Sequence, residues 1–231
     1  MVARRLVHRP GIVVGIKPRP AFAFEPSLAQ SWLRRVKAKG IVFSEGDPAT
    51  YIYRIEAGAV ALYKVAADGR RQILGFAYPG DLLGLGAPGE HLLNAQAIKP
   101  TRLRCLPVAA IRQSADPSIG FKLYDALAGE LAATRNLVLT IGRRSAVERV
   151  VGFLLAFSRR NGESGLGGRC FDLPMTRGDI GDLLGLSVET VSRTFTMLKM
   201  HGLIELPRAD HVKFIDIEQL QNLADGDRQC L

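Results

Sequence analysis

Glu189, Ser192 and Arg193 stand three and four residues apart within GLSVETVSRTFTMLKMHG, positions 185–202. On a helix that spacing places them on one face, with Val188 beside them. These side-chain types can read the edge of a base pair. Arginine donates two hydrogen bonds to guanine O6 and N7, glutamate accepts from cytosine N4, and an apolar group meets a thymine methyl. The simpler reading is a solvated Glu189–Arg193 ion pair, worth roughly 0.2–0.5 kcal/mol. Phosphate repels a glutamate, so solvation alone explains Glu189 poorly on a face that meets DNA.

Such a face needs a helix held by its opposite side, and Val191, Phe195 and Leu198 supply that side. The residues upstream complete the support. Thr176 can cap a preceding helix, with Asp179 three residues on as an imperfect capping box. Ile180, Leu183 and Leu184 form that helix's inner face, and Gly185 permits the left-handed turn that ends it. Leu186 plugs the turn and Ser187 caps the next helix. Gly181 sits where the two helices approach closely. This is the pattern of a helix-turn-helix, whose second helix offers its N-terminal residues to bases. Downstream, GLIELPRADHVKFIDIEQL reads as two short strands around positions 207–210, a wing, followed by a helix capped by Asp216. The candidate DNA-binding residues are Val188, Glu189, Ser192 and Arg193, with Thr176, Ser187, Thr190 and Arg208. Lys213 on the wing is a further candidate for phosphate.

Before this region the pattern differs. Ser27–Val36 reads as a short helix capped by Ser27. From Lys39 the chain is dense in β-branched and aromatic residues, with turn signals at 45–48, 57–58, 68–69 and 79–80. Short strands at this spacing, roughly 8–12 residues, predict a barrel or sandwich. Asp68-Gly69 is a hairpin signal, and further strands are expected at 93–98 and 101–107. After Pro117 the strand pattern stops. Tyr124, Leu127, Leu131, Thr134, Val138 and Ile141 recur in alternating steps of three and four, the seam of a coiled coil. They are the candidate dimerisation residues, the alternative being a helix packed on its own domain. Val147–Ser158 reads as another amphipathic helix, 161–168 as a loop, and RCFDLP as a short strand.

Composition bounds the rest. With 47% hydrophobic and 23% charged residues, the chain can bury a real core. Its run VVGFLLAF is far shorter than the ~20 residues that span a bilayer, so no membrane partner is expected. Cys105, Cys170 and Cys230 are scattered with no C-x-x-C pair, which fits a reducing cytoplasm. Cys170 reads as a small strand residue, the alternative being a thiol switch just ahead of the helix-turn-helix. The net charge of +9 invites a nucleic-acid reading. Yet from position 143 onward twelve bases face twelve acids, so placement rather than bulk charge must attract DNA there. The excess lies early: positions 1–40 hold nine bases against Glu25. MVARRLVHRPGIVVGIKPRP shares its arginine bias with organellar targeting peptides. Its Gly and Pro break any amphipathic helix and it lacks serine, so a flexible basic arm is expected. No paired carboxylates, Ser/His/Asp set or phosphate loop points to an enzyme; GESGLGG lacks the Walker lysine.

The order of barrel, long helix and winged helix-turn-helix resembles the Crp/Fnr family of bacterial transcription regulators. EGDPATYIYRIEAGAVALY, PGDLLGL and LPMTRGDIGDLLGLSVETVSRTFTMLKMHGLIEL carry the resemblance. Glu189, Ser192 and Arg193 look like the Fnr side, and MTRGDIGDLLGL…ETVSRTF like the FixK branch. The resemblance implies an α+β chain with an N-terminal cyclic-nucleotide-binding-type β-roll, a long dimerisation helix and a C-terminal winged helix-turn-helix. The segments would be a basic arm at 1–26, the roll at 27–117, the dimerisation helix at 118–143 and the DNA-binding domain at 144–231. It also implies a cytoplasmic homodimer that binds a TTGA-type inverted repeat in double-stranded DNA, recruits RNA polymerase, and acts as an activator in oxygen-, respiration- or nitrogen-related control. Two departures bear on cofactors, and none is expected. The first cysteine is Cys105, so the clustered N-terminal cysteines of an iron–sulfur Fnr are absent. Where cyclic-AMP receptors hold phosphate with arginine and serine, this chain has His91-Leu92; Asp81 remains where an acidic ribose contact would sit. Haem held by His91 or His8 is not expected either. The alternative function is an allosteric regulator with an unidentified roll ligand.

Overall fold

The computed structural model describes residues 31–85, 89–161 and 169–226. The basic arm, Ser27, His8, Cys230 and most of the expected loop at 161–168 lie outside them. Eight strands come first: β1 (Trp32–Val36), β2 (Ile41–Phe43), β3 (Tyr51–Ala57), β4 (Val60–Val65), β5 (Arg71–Ala77), β6 (Leu82–Leu83), β7 (Asn94–Ala97) and β8 (Thr101–Pro107). They form two four-stranded sheets, ordered β1-β8-β3-β6 and β2-β7-β4-β5. Ile55, Val60, Ala95, Ala97 and Leu103 close the space between the sheets and are wholly buried. The Asp68-Gly69 signal does make a hairpin: Gly69 adopts φ 82° and its N–H donates to the Ala66 carbonyl at 2.9 Å.

Trp32–Val36 is not the end of a helix but an edge strand, paired antiparallel with β8 from Trp32↔Cys105 to Val36↔Thr101. The ladder to β8 outweighs the helix propensity of LRR, a tertiary effect with no local signal. A short helix, α1 (Val108–Arg112), follows β8 and was not foreseen.

α2 (Pro117–Arg143) is the long helix. Pro117 occupies its first turn, where the missing N–H costs nothing, and Asp116 caps it by accepting from the Ser118 N–H at 2.9 Å. α3 (Ala146–Asn161) turns back and buries Val150 through Ser158. β9 (Cys170–Asp172), α4 (Arg177–Leu184), α5 (Val188–Met200), β10 (Ile204–Arg208), β11 (His211–Phe214) and α6 (Ile217–Asp225) complete the chain. The wing is a three-stranded sheet, β10-β11-β9.

The two halves share one core. Ala61, Ile73, Phe76 and Tyr78 of the roll belong to the same buried cluster as Phe153, Phe157, Ile180, Val191 and Phe195. Among the described residues three ion pairs cross the same boundary. Asp81 and Arg160, both almost wholly buried, meet at 2.9 Å, and Asp81 also accepts from the Tyr78 N–H at 2.8 Å. The other two join Arg71 of β5 to Asp179 and Asp182. Cys105 is buried, which pushes its thiol up to about 11; it is inert near neutrality. Cys170 is half-buried rather than packed in the core, on the edge strand opposite Lys213. No described helix is long and apolar enough to cross a membrane.

Candidate nucleic-acid interface

Two caps and a turn fix the angle between α4 and α5. The Thr176 hydroxyl accepts from the Asp179 N–H at 3.1 Å while the Asp179 carboxylate accepts from the Thr176 N–H at 2.9 Å. The box that looked imperfect is complete. Gly185 ends α4 at φ 65° and ψ 41°. The Leu186 N–H donates to the Gly181 carbonyl at 3.0 Å. A Cβ on Gly181 would stand 2.5 Å from the Leu186 carbonyl oxygen, so only glycine lets the turn close there. The Ser187 hydroxyl then accepts from the Thr190 N–H at 3.1 Å and starts α5.

Val191, Phe195 and Leu198 are buried, as their spacing requires. Val188, Glu189, Ser192 and Arg193 are consequently brought together on the outer face, all exposed. Arg193 and Glu189 do form an ion pair, at 2.6 Å. Their side chains are 79% and 68% exposed, so the pair is worth at most ~1 kcal/mol and opens at little cost. It holds the guanidinium along the first turns of the helix, where a base edge would lie. Ser192 donates to the Val188 carbonyl at 2.8 Å and is free to rotate outward.

Other candidates are more committed. The Thr176 hydroxyl also donates to Asp179 at 2.7 Å, so its work is the cap. Ser187 and Thr190 share a hydrogen bond at 2.9 Å. Arg208 pairs with Asp172 at 2.9 Å and reaches Asp210 at 3.5 Å, and Lys213 pairs with Glu205 at 2.9 Å. The wing's cations are thus partly neutralised. Along α2, Tyr124, Leu127, Leu131 and Val138 are exposed apolar residues, joined by Phe121 and Leu139. Thr134 is exposed, with its hydroxyl donating to the Glu130 carbonyl at 2.9 Å. Ile141, the last of the expected seam, instead packs on its own chain's core near Gly185.

Sequence reasoning missed the residues that fasten this unit. Arg177 lies over the Phe195 ring at 3.3 Å and donates to the Ala209 carbonyl at 2.9 Å, tying the wing tip to α4. Burial pushes its guanidinium down to about 10. Arg149 donates to the carbonyls of Ile141 at 2.7 Å and Leu184 at 3.0 Å, where α2 and α4 leave acceptors unpaired. Arg71 of β5 donates to Asp182 at 2.9 Å and pairs with Asp179, and Gln72 donates to the Asp182 carbonyl. Burial works against the Asp179 charge, but hydrogen bonds from Thr176 and Arg71 hold its carboxyl below the usual range. Its contribution is therefore complete above the ordinary carboxylate value of ~3.9 and fades as pH falls through the lowered one. Arg71 and Arg177 have no local signal, since their partners lie far along the chain, and Arg149 ties the nearby Ile141 carbonyl to the distant Leu184 one.

The β5–α4 link positions α5 through α4. Arg71→Gln is expected to weaken operator binding about ten-fold (~1.4 kcal/mol), with partial recovery when Arg71→Glu is combined with Asp182→Arg. Fluorescence anisotropy on the three proteins checks this, and wild-type affinity in Arg71→Gln would discard it.

Inside the roll, a cavity of about 380 Å³ is lined by Phe43, Leu62, Leu83, His91 and, from α2, Glu130. His91 is 5% exposed and stacks on Phe43 with ring centroids 3.7 Å apart. Burial pushes its pKa down, so it is a neutral ring near pH 7. Lys64 is paired with Glu45 at 2.8 Å, and Asp81 is held by Arg160. His91 and Asp81 are thus turned to internal contacts, whereas Leu92 is 55% exposed.

Comparison with known proteins agrees with this geometry. Residues 148–223 match the Crp-like helix-turn-helix domain and residues 33–116 the cyclic nucleotide-binding domain. The chain is 38% identical over 185 residues to the nitrogen fixation regulation protein FixK of Bradyrhizobium diazoefficiens, covering 79% of this chain and 78% of that protein. It is 32% identical to the fumarate and nitrate reduction regulatory protein of Salmonella typhi, over 79% of this chain and 73% of that one. The solved structure of FixK2 from Bradyrhizobium japonicum superposes with a TM-score of 0.79 at 36% identity, covering 84% of this chain and 96% of that one.

Proposed function

The chain belongs to the FixK-like branch of the Crp/Fnr family of DNA-binding transcription regulators, and from that premise we propose that it is a cytoplasmic homodimer activating genes of oxygen-, respiration- or nitrogen-related metabolism. It binds a TTGA-type inverted repeat, with half-site centres about one helical turn apart, and recruits RNA polymerase. The outer face of α5 carries this reading: Val188, Glu189, Ser192 and Arg193 are exposed together, over a helix fastened on every other side. Arg193 donates to a guanine, Glu189 accepts from the cytosine paired with it, and both therefore read one G·C pair. The dimer forms along the exposed stripe of α2. Thr176, Ser187, Thr190 and Arg208 serve as supports and flanking contacts.

The regulator binds DNA without an added small molecule, because His91, Leu92 and Asp81 offer a cyclic nucleotide no clamp. Selection of bound DNA from random sequence by the purified protein tests both points. TTGA-type inverted repeats should emerge with no ligand present and equally in mild peroxide. Binding that begins only on adding cyclic AMP would overturn the ligand-free reading. A peroxide loss that vanishes in Cys170→Ser would assign control to that half-buried thiol. A second reading, a roll that senses a small uncharged ligand, draws on the apolar cavity and on His91 Nε2, which has no hydrogen-bond partner among the described residues.

A further inference from the structure

The outer face of the β1-β8-β3 ladder carries an unusual register. Arg35 stands opposite Arg102, and Arg54 opposite Arg104. Like charges directly opposite one another destabilise an antiparallel pair, and here two such pairs adjoin. Glu56 offsets one guanidinium, pairing with Arg104 at 2.6 Å. Arg54 and Arg102 have no ion pair among the described residues. The Nε of Arg54 is buried and has no hydrogen-bond acceptor among the described residues, a position costly for a charged group.

These side chains are not spread over a flat surface. Arg54, Arg102, Arg104 and Glu56 line a cleft of about 560 Å³ closed on one side by the Pro79-Gly80 turn, within the ~300–1,000 Å³ range of small-ligand sites. Three guanidiniums and one carboxylate leave a net charge of about +2, which matches the roughly −1.5 to −2 of a phosphate monoester near pH 7. Guanidinium forks bind phosphate oxygens in pairs, whereas a single carboxylate would leave half the charge unmet. We propose that this cleft, on the outside of the roll and separate from its internal cavity, binds the phosphate group of a small phosphorylated molecule. The proposal does not depend on which operator the helix-turn-helix reads.

The test uses the whole chain and inorganic phosphate, with sodium chloride at equal ionic strength as the reference. Calorimetry should show saturable binding to the wild type, at least ten-fold weaker in Arg54→Gln/Arg102→Gln. Arg193→Ala, which removes the base-reading cation, should bind phosphate as the wild type does. Thermal melting guards against a folding artefact: in chloride the double variant should melt no lower than the wild type, because repulsion has been removed. Phosphate should raise the melting temperature of the wild type alone. If the double variant melts early, Arg102→Gln alone, at an exposed position, carries the comparison. Equal phosphate binding by wild type and variants would overturn the proposal. So would absent phosphate binding with an operator-affinity loss that grows with the length of flanking DNA, which would assign the cleft to the DNA backbone.

Discussion

Arg193→Ala is expected to weaken binding to the cognate operator by ~1–3 kcal/mol per half-site, roughly 5- to 150-fold. The loss should come with relaxed discrimination at one G·C pair, while affinity for unrelated DNA barely changes. This distinguishes a base contact from a phosphate contact, which would weaken all sequences alike and lower the salt slope. The geometry supports the base role. Arg193 is held by one exposed ion pair, to Glu189 at 2.6 Å, and leaving that partner for guanine costs little. Anisotropy titrations on the cognate site and on its G·C-substituted variant decide the matter. If mutant and wild type bound both duplexes equally, another residue would read the pair.

Leu131→Glu or Val138→Glu should split the dimer. Leu131 and Val138 are 50% and 65% exposed in the single chain, on a stripe with Tyr124 and Leu127 that needs a partner to leave water. In a symmetric dimer each substitution places two carboxylates in an apolar seam. Breaking in with an unpaired charge costs ~3–5 kcal/mol, enough to raise the dimer dissociation constant by about 10²- to 10⁴-fold. Operator affinity should fall in step, since one half-site then binds alone. Sedimentation velocity with and without operator measures both effects. A wild-type protein that sediments as a monomer on DNA would sink the assignment.

Legibility in the sequence followed the range of the forces involved. The helix-turn-helix was readable because it is built from neighbours: the Thr176 box, the Gly185 turn and the Ser187 cap each act within a few residues. The Asp68-Gly69 hairpin was readable for the same reason. β1 was misread because its only reason to be a strand is β8, some seventy residues away. Arg71, Arg149 and Arg177 were invisible because an arginine announces a charge and not an address. Ile141 kept the seam's spacing but faces its own chain, since the end of α2 must also meet α4. The outward face of α5 was inferred by subtraction, once its inner residues were known.

The buried cluster that runs from Ile73 and Phe76 into Ile180 and Phe195 has a bearing on how this protein can change. A regulator whose reader and roll were linked by a bare hinge could exchange either half for a foreign one. Here the seam between them is a hydrophobic interior with the Asp81–Arg160 pair inside it. A graft at the helix boundary would expose that interior on both sides, so a foreign half would have to bring a matching face with it.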